Sequence, residues 1–205
     1  EDVLPYDCGP TEALGFTKRC ADLCINATMG TSLTDTELPE QADKANGERC
    51  PRPNAGESPR RPVLRAIDIG CAVGGIAFEL TRAFDEVIGV DYSASFVEVA
   101  RRMREDGRMP YTCLEEGSVV RQREAVLPEG TIPSRVRFDQ GDACALDVET
   151  LGAFDVVLAS NLLCRLPSPR SLLADLPALV KPGGVAILIS PYSWLTEYTP
   201  PSVRH

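Results

Sequence analysis

Three short stretches hold the residue types that could do chemistry. Ala66-Ile67-Asp68-Ile69-Gly70-Cys71-Ala72-Val73-Gly74-Gly75 ends an apolar run in a glycine turn, Val87-Ile88-Gly89-Val90-Asp91 ends a second run in a carboxylate, and Gln140-Gly141-Asp142-Ala143 follows a third. A glycine turn between a strand and a helix lets backbone approach a ligand closely. A nicotinamide fingerprint, G-x-G-x-x-G, needs its second glycine to admit a pyrophosphate; Ala72 stands there, and the Asp68 carboxylate would repel a diphosphate. Both features suit a ligand with a cationic amino-acid end and no phosphate. Asp91 can accept from two ribose hydroxyls, and Asp142 from an adenine amino group. Each element alone has a structural explanation, because a glycine turn often only shapes a loop and a strand-end aspartate is often a solvated cap. Their common order along the chain carries the argument.

The elements that must position these groups follow from the apolar pattern. Val63–Ile69, Val87–Val90, Val136–Phe138, Phe154–Ala159 and Val185–Ile189 read as strands, with helices over Gly75–Phe84, Ser93–Arg104 and Arg170–Val180. Buried strands alternating with helices predict an α/β fold with a doubly wound, mostly parallel Rossmann-like sheet. Ligands bind such a sheet at the carboxyl ends of its strands, so the three stretches converge on one edge. S-adenosylmethionine has the required make-up: an ammonium, a carboxylate, a sulfonium, a ribose and an adenine. After the fourth strand, Asn161-Leu162-Leu163-Cys164-Arg165-Leu166-Pro167 brings two more candidates to that edge. Asn161 can hold a substrate nitrogen or the cofactor's amino-acid end, and Arg165 can pair with a substrate carboxylate or serve as an ordinary surface arginine. Lys181 is expected to complement the carboxyl end of the preceding helix.

Outside this core, residues 11–28 predict one amino-terminal helix with Thr11 as N-cap and Glu12 in its first turn, while Gly15 weakens it. Residues 29–62 carry scattered prolines, glycines and charges and read as a flexible linker or surface loop. Residues 106–134 interrupt the strand and helix rhythm, and Tyr111-Thr112-Cys113-Leu114 and Val119-Val120 suggest short antiparallel strands inserted before the third main strand. The expected organisation is a helical segment at 1–28, a linker at 29–62 and a ligand-binding domain at 63–205.

Composition removes whole classes of function. The net charge of −9 offers no excess of Lys and Arg for phosphate backbones or anionic membranes. The apolar run Val185–Ile189 is far too short to span a bilayer, and the first residues lack the basic and apolar regions of a signal peptide, so a cytoplasmic location is expected. The eight cysteines are scattered among apolar patterns and read as reduced, mostly buried thiols. Cys20 and Cys24 lack a second ligand pair, and His205 is the only histidine; no metal site and no histidine-activated nucleophile are expected.

Together these residues resemble class I S-adenosylmethionine-dependent methyltransferases over roughly residues 63–195. Within that group, five strings look like the methyltransferase of ovothiol biosynthesis: Ala66–Gly74, Phe84–Ser93, Gln140–Cys144, Asn161–Leu166 and Ser190-Pro191-Tyr192-Ser193-Trp194-Leu195-Thr196-Glu197-Tyr198-Thr199. The resemblance implies methyl transfer to an imidazole nitrogen of 5-thiohistidine, a small amino-acid substrate. It implies cofactor binding by Asp68, Gly70, Ala72, Gly74, Asp91, Tyr92, Asp142, Ala143 and Asn161. Asn161 and Tyr192 would orient the imidazole, and Arg165 would take the carboxylate. Relatives continue past this segment to two further strands, so the sheet is expected to stop at its fifth strand and to leave an edge open to pairing, including as a homodimer. Two other readings stay open: a methyltransferase of another small molecule, and a catalytically silent cofactor-binding interaction domain.

Overall fold

The structure, a computed structural model, describes residues 15–32 and 61–204. A long helix, α1 (Phe16–Ser32), precedes an alternating series: β1 (Arg65–Ile69), α2 (Gly75–Leu80), β2 (Glu86–Asp91) and α3 (Ala94–Asp106). A hairpin of β3 (Arg108–Glu116) and β4 (Val119–Val126) follows, then β5 (Val136–Gln140), α4 (Val148–Leu151), β6 (Phe154–Ser160), α5 (Pro169–Leu179) and β7 (Val180–Ile189). Five strands form one parallel sheet in the order β5-β2-β1-β6-β7. The strand order reverses between β1 and β6, and that switch point opens a crevice at the strands' carboxyl ends.

Burial on both faces explains the unbroken apolar strands. Ala66, Val87, Val136, Phe138, Val156 and Leu158 join one core with α1, α2 and α3, while Ile67, Ile69, Ile88, Val90 and Val157 join a second core with α4 and α5. Strand periodicity puts Asp68 on the same face as Ala66, beneath α1 and α2. On α1, Cys20, Ala21 and Cys24 are buried in that core.

Several boundaries differ from the sequence expectation, each for a local reason. The first strand begins at Arg65, because the Leu64 carbonyl is already accepting from the Asp85 and Glu86 amides as a loop. The second helix ends at Leu80, and Thr81 to Ala83 continue as turns. There the Thr81 hydroxyl bonds back to the Phe78 carbonyl. The last strand starts at Val180, where Phe154 pairs with it before a bulge shifts the register. Lys181 therefore lies in β7, not at a helix end, and its ammonium donates to Asp155 at 2.7 Å. Helix α1 runs on to Ser32, so residues 29–32 are helical and not linker. The Thr11 cap and residues 33–60 lie outside the described residues. The antiparallel insertion is present and longer than predicted, with β3 and β4 paired from Arg108–Val126 to Glu116–Val119.

Six cysteines fall within the described residues and are free thiols; Cys20, Cys24, Cys71 and Cys164 are buried. Among the described residues no helix is long and apolar enough to cross a membrane, and no group of side chains is suited to hold a metal ion. In the five-stranded sheet β7 is the outermost strand on its side.

Candidate functional site

The glycine turn after β1 is fixed by its neighbour strand. The Gly70 and Cys71 amides both donate to the Val90 carbonyl, at 2.7 and 3.1 Å, and the Ala72 amide donates to Asp91 Oδ2 at 2.8 Å. Asp91 Oδ1 accepts from the Ser93 amide at 2.9 Å, so this carboxylate ties two loops together and keeps further lone pairs for a ligand. Gly74 has φ near +90°, and a Cβ there would sit 2.6 Å from the Phe138 ring, so only glycine fits the start of α2. The Gly141 amide donates to the Asp91 carbonyl, which draws the Asp142 loop alongside. Gln140 likewise reaches the Tyr92 carbonyl.

Asp68 is the electrostatic anomaly of this edge. Its carboxylate is 1% exposed, and neither oxygen has a hydrogen-bond partner at normal geometry, the Ala77 amide offering only a weak backbone contact. Burial above all, and then the charge of Asp91, push its pKa up to about 7. Around it, burial drives the Cys24 thiol up to about 12 and the Cys71 thiol higher still, with Asp68 adding to both shifts. Those thiols are inert rather than nucleophilic. The Ser160 hydroxyl, at the end of β6 and beside Cys20, is also buried without a conventional hydrogen bond. The Asp68 carboxylate and, beyond a contact with the Cys20 thiol, the Ser160 hydroxyl thus lie buried at the switch point without full hydrogen bonding, which is costly unless a ligand completes them.

The far side of the edge is more open. The Asn161 backbone N–H donates to the Ile189 carbonyl at 2.7 Å, which joins the loop after β6 to the end of β7. Leu162 packs over Gly70 and brings that loop against the glycine turn. Arg165 closes a short 3₁₀ turn and stacks its guanidinium 4.8 Å above the Tyr198 ring. Tyr192 is 76% exposed, with its amide held by the Ser190 hydroxyl. Ala72, Asn161 and Tyr192 are the non-glycine residues with positive φ among the described residues, at 49°, 55° and 53°. All three are sequence-predicted site residues, and strained backbone of this kind clusters at ligand-binding edges.

The structure therefore gathers Asp68, Gly70, Ala72, Gly74, Asp91, Tyr92, Asp142 and Ala143 around the carboxyl ends of β1, β2 and β5. Asn161, Arg165 and Tyr192 stand on the β6 and β7 side. Sequence reasoning missed Ser160, whose only signal was its place next to Asn161. It also gave no role to Thr199, whose hydroxyl lies between the carbonyls flanking Arg165.

Comparison with known proteins supplies the family. Residues 67–188 match the family model described as a methyltransferase domain. The ubiquinone biosynthesis O-methyltransferase of Bordetella avium is 28% identical over 120 residues, covering 58% of this chain and 39% of that protein. The carboxy-S-adenosyl-L-methionine synthase of Alteromonas mediterranea is 30% identical over 132 residues, 62% of this chain and 44% of that one. The chain thus spans less than half the length of these curated relatives. Among solved structures, the YcgJ protein from Bacillus subtilis is similar with a TM-score of 0.47 and 23% identity, covering 62% of this chain and 44% of that one. The glycopeptide N-methyltransferase MtfA complexed with S-adenosyl-L-methionine has a TM-score of 0.45 and 18% identity, covering 62% and 47%. The family match runs from the middle of β1 almost to the end of β7 and takes in the glycine turn, Asp91 and the β6 loop: the chain belongs to the methyltransferase domain family.

Proposed function

We propose that this edge binds S-adenosylmethionine and transfers its methyl group to an imidazole nitrogen of 5-thiohistidine. The observation that carries the cofactor half is the buried, unpartnered Asp68 carboxylate, which an ammonium would satisfy and a phosphate would not. The residues present fit the cofactor along its length. Asp68, Gly70, Ala72 and Gly74 would hold the amino-acid end, with Asn161 reaching it from the β6 loop. Asp91 and Tyr92 would hold the ribose, and Asp142 and Ala143 the adenine. When bound, the cofactor supplies an electrophilic sulfonium methyl and leaves as S-adenosylhomocysteine.

The remaining work falls to positioning, because in-line displacement disperses charge and needs neither a strong acid nor a metal. The ring nitrogen's lone pair forms the new N–C bond as the C–S pair returns to sulfur, and the ring proton is lost to solvent. Asn161 and Tyr192 orient the imidazole, and Arg165 takes the substrate carboxylate. The resemblance of the five strings to the ovothiol-pathway methyltransferases is what supports this substrate. The ubiquinone O-methyltransferase relatives favour a second reading, methyl transfer to an oxygen of another small molecule. The open flank of β7 also suits pairing with a second copy.

A single preparation tests these points. Mass spectrometry of the chain incubated with S-adenosylmethionine and either 5-thiohistidine or histidine is expected to show methylation of the thiolated substrate only. Calorimetry is expected to show S-adenosylhomocysteine binding, and light scattering a dimer. Binding without methylation overturns the substrate; no binding overturns the cofactor; a monomer at all concentrations overturns the pairing.

A further inference from the structure

We infer that Tyr198 and Thr199 are positioning residues that hold Arg165 as the receptor for a substrate carboxylate, an inference resting on the methyl-transfer reading of the same site. Thr199 is fully buried. Its hydroxyl oxygen lies 2.7 Å from the Leu166 carbonyl and 3.3 Å from the Cys164 carbonyl, the carbonyls of the two residues that flank Arg165. One hydroxyl proton shared between those acceptors pins the backbone that carries the arginine. The Thr199 carbonyl accepts from Arg204 Nε at 2.9 Å, and the Tyr198 and Thr199 amides both return to the Leu195 carbonyl. The turn at 195–199 is thereby closed on itself, clamped to the β6 loop and braced from behind.

The side chain is held as firmly as its backbone. With its guanidinium carbon 4.8 Å over the Tyr198 ring, Arg165 uses the face of its cation for the stack and leaves its in-plane N–H donors free. Among the described residues no carboxylate pairs with it. Elsewhere the acidic surface supplies partners readily: Arg65 pairs with Glu86, Arg82 with Asp22 and Glu79, and Arg121 with Glu115. A planar fork, exposed, stacked and unpaired at the ligand edge of a chain with net charge −9, is suited to bidentate capture of a carboxylate. Tyr198 lowers the entropy lost on capture, because the stack has already chosen the rotamer. The selectivity that follows is for small molecules bearing a free carboxylate.

Calorimetry in saturating S-adenosylhomocysteine tests this with 5-thiohistidine and its decarboxylated amine. The wild type is expected to bind the acid about 10-fold tighter than the amine or better. Arg165→Gln is expected to erase that preference. Tyr198→Leu should cut it roughly 3- to 10-fold, and Tyr198→Phe should restore most of the loss; in turnover with S-adenosylmethionine the same loss should fall in KM, with kcat within about twofold. Equal preference in wild type and Tyr198→Leu, with only a lower melting temperature, overturns the positioning role.

A second readout does not depend on which acid is the substrate. The Arg165 Nε–H resonance, assigned with Arg165→Lys, is expected to shift on titration with imidazole-4-acetate in the wild type and far less in Tyr198→Leu. A resonance indifferent to carboxylate overturns the inference even where methyl transfer is observed. Failure of the wild type to bind S-adenosylhomocysteine overturns the cofactor reading and this inference with it.

Discussion

Around β1 and β2 the loops are held by groups buried with them, whereas after β6 and β7 the loops are held from beneath and present their side chains to solvent. The glycine turn hangs on Val90 and Asp91 through three backbone amides, with Cys71 and Gly74 buried under it. Asn161, Arg165 and Tyr192 are exposed instead, and what fixes them is the Ile189 carbonyl for Asn161, the Thr199 hydroxyl and Tyr198 ring for Arg165, and the Ser190 hydroxyl for Tyr192. The first arrangement moulds backbone to one constant ligand; the second displays exchangeable side chains on a fixed frame. Mutations should accordingly act on stability and cofactor affinity together on one side, and on substrate affinity on the other, where Asn161 alone also reaches the cofactor.

The largest effect is expected at Gly74. An alanine there meets the Phe138 ring at 2.6 Å and Phe78 at 3.0 Å, with φ near +90°. Overpacking and left-handed strain together should cost roughly 3 kcal/mol in urea unfolding and abolish S-adenosylhomocysteine binding. Gly117→Ala in the hairpin turn falls at a positive φ of 55° with open space around it, and should cost only about 1 to 2 kcal/mol and spare binding. Equal losses at the two sites would erase the contrast between a moulded turn and an ordinary one.

Asp68→Asn comes next and should split stability from function. The folded pKa of about 7 lies above the ordinary 3.8, so the native state holds the extra proton between those values. The neutral carboxyl therefore stabilises the fold fully below about pH 4, and that contribution is lost as pH rises through about 7, at ~1.4 kcal/mol per unit of separation. At pH 8 the buried charge is unpaired, and Asn is expected to stabilise the ligand-free protein by about 1 to 2 kcal/mol. Ligand binding should move the other way. S-adenosylhomocysteine affinity in the wild type should fall as pH drops below about 7, and Asp68→Asn should flatten that slope and weaken binding about 10- to 100-fold at pH 8. A variant that is both less stable and unaltered in its pH profile would remove the ammonium from Asp68.

How much of this was legible in the sequence follows the same division. Asp68, Gly70, Gly74 and Asp91 declare themselves because each lies at or next to the end of a strand or the start of a helix, and those positions are fixed by apolar periodicity. The parallel order of the sheet follows from the same alternation. The bulge that draws Val180 into β7 was not legible, because Lys181-Pro182-Gly183-Gly184 carries turn residues that conceal a strand continuing through them. Thr199 was equally hidden. Its partners at Cys164 and Leu166 lie more than thirty residues back, and nothing local marks a threonine that will be buried on distant carbonyls. Local pattern reports which backbone is moulded, and tertiary packing decides which side chains are propped.

The smallest effect on stability, and the sharpest test of the open side, is at Tyr192. Its φ of 53° is one that a bulky residue adopts at a cost of about 1 to 2 kcal/mol, and its ring is 76% exposed, so little packing repays the strain. Glycine at this position relieves the strain but gives the unfolded chain more freedom, which offsets most of the gain. Tyr192→Gly should therefore leave stability within about 1 kcal/mol of the wild type, on the favourable side if anything. S-adenosylhomocysteine affinity should not change, because the residue stands on the β7 side of the edge. Methyl transfer should nevertheless fall by about 10-fold or more in kcat/KM if the ring orients the acceptor. Unfolding curves and kinetics on one preparation check both halves. Unchanged kinetics with raised stability would leave the strain at Tyr192 without a catalytic purpose and confine the oriented acceptor to Asn161 and Arg165.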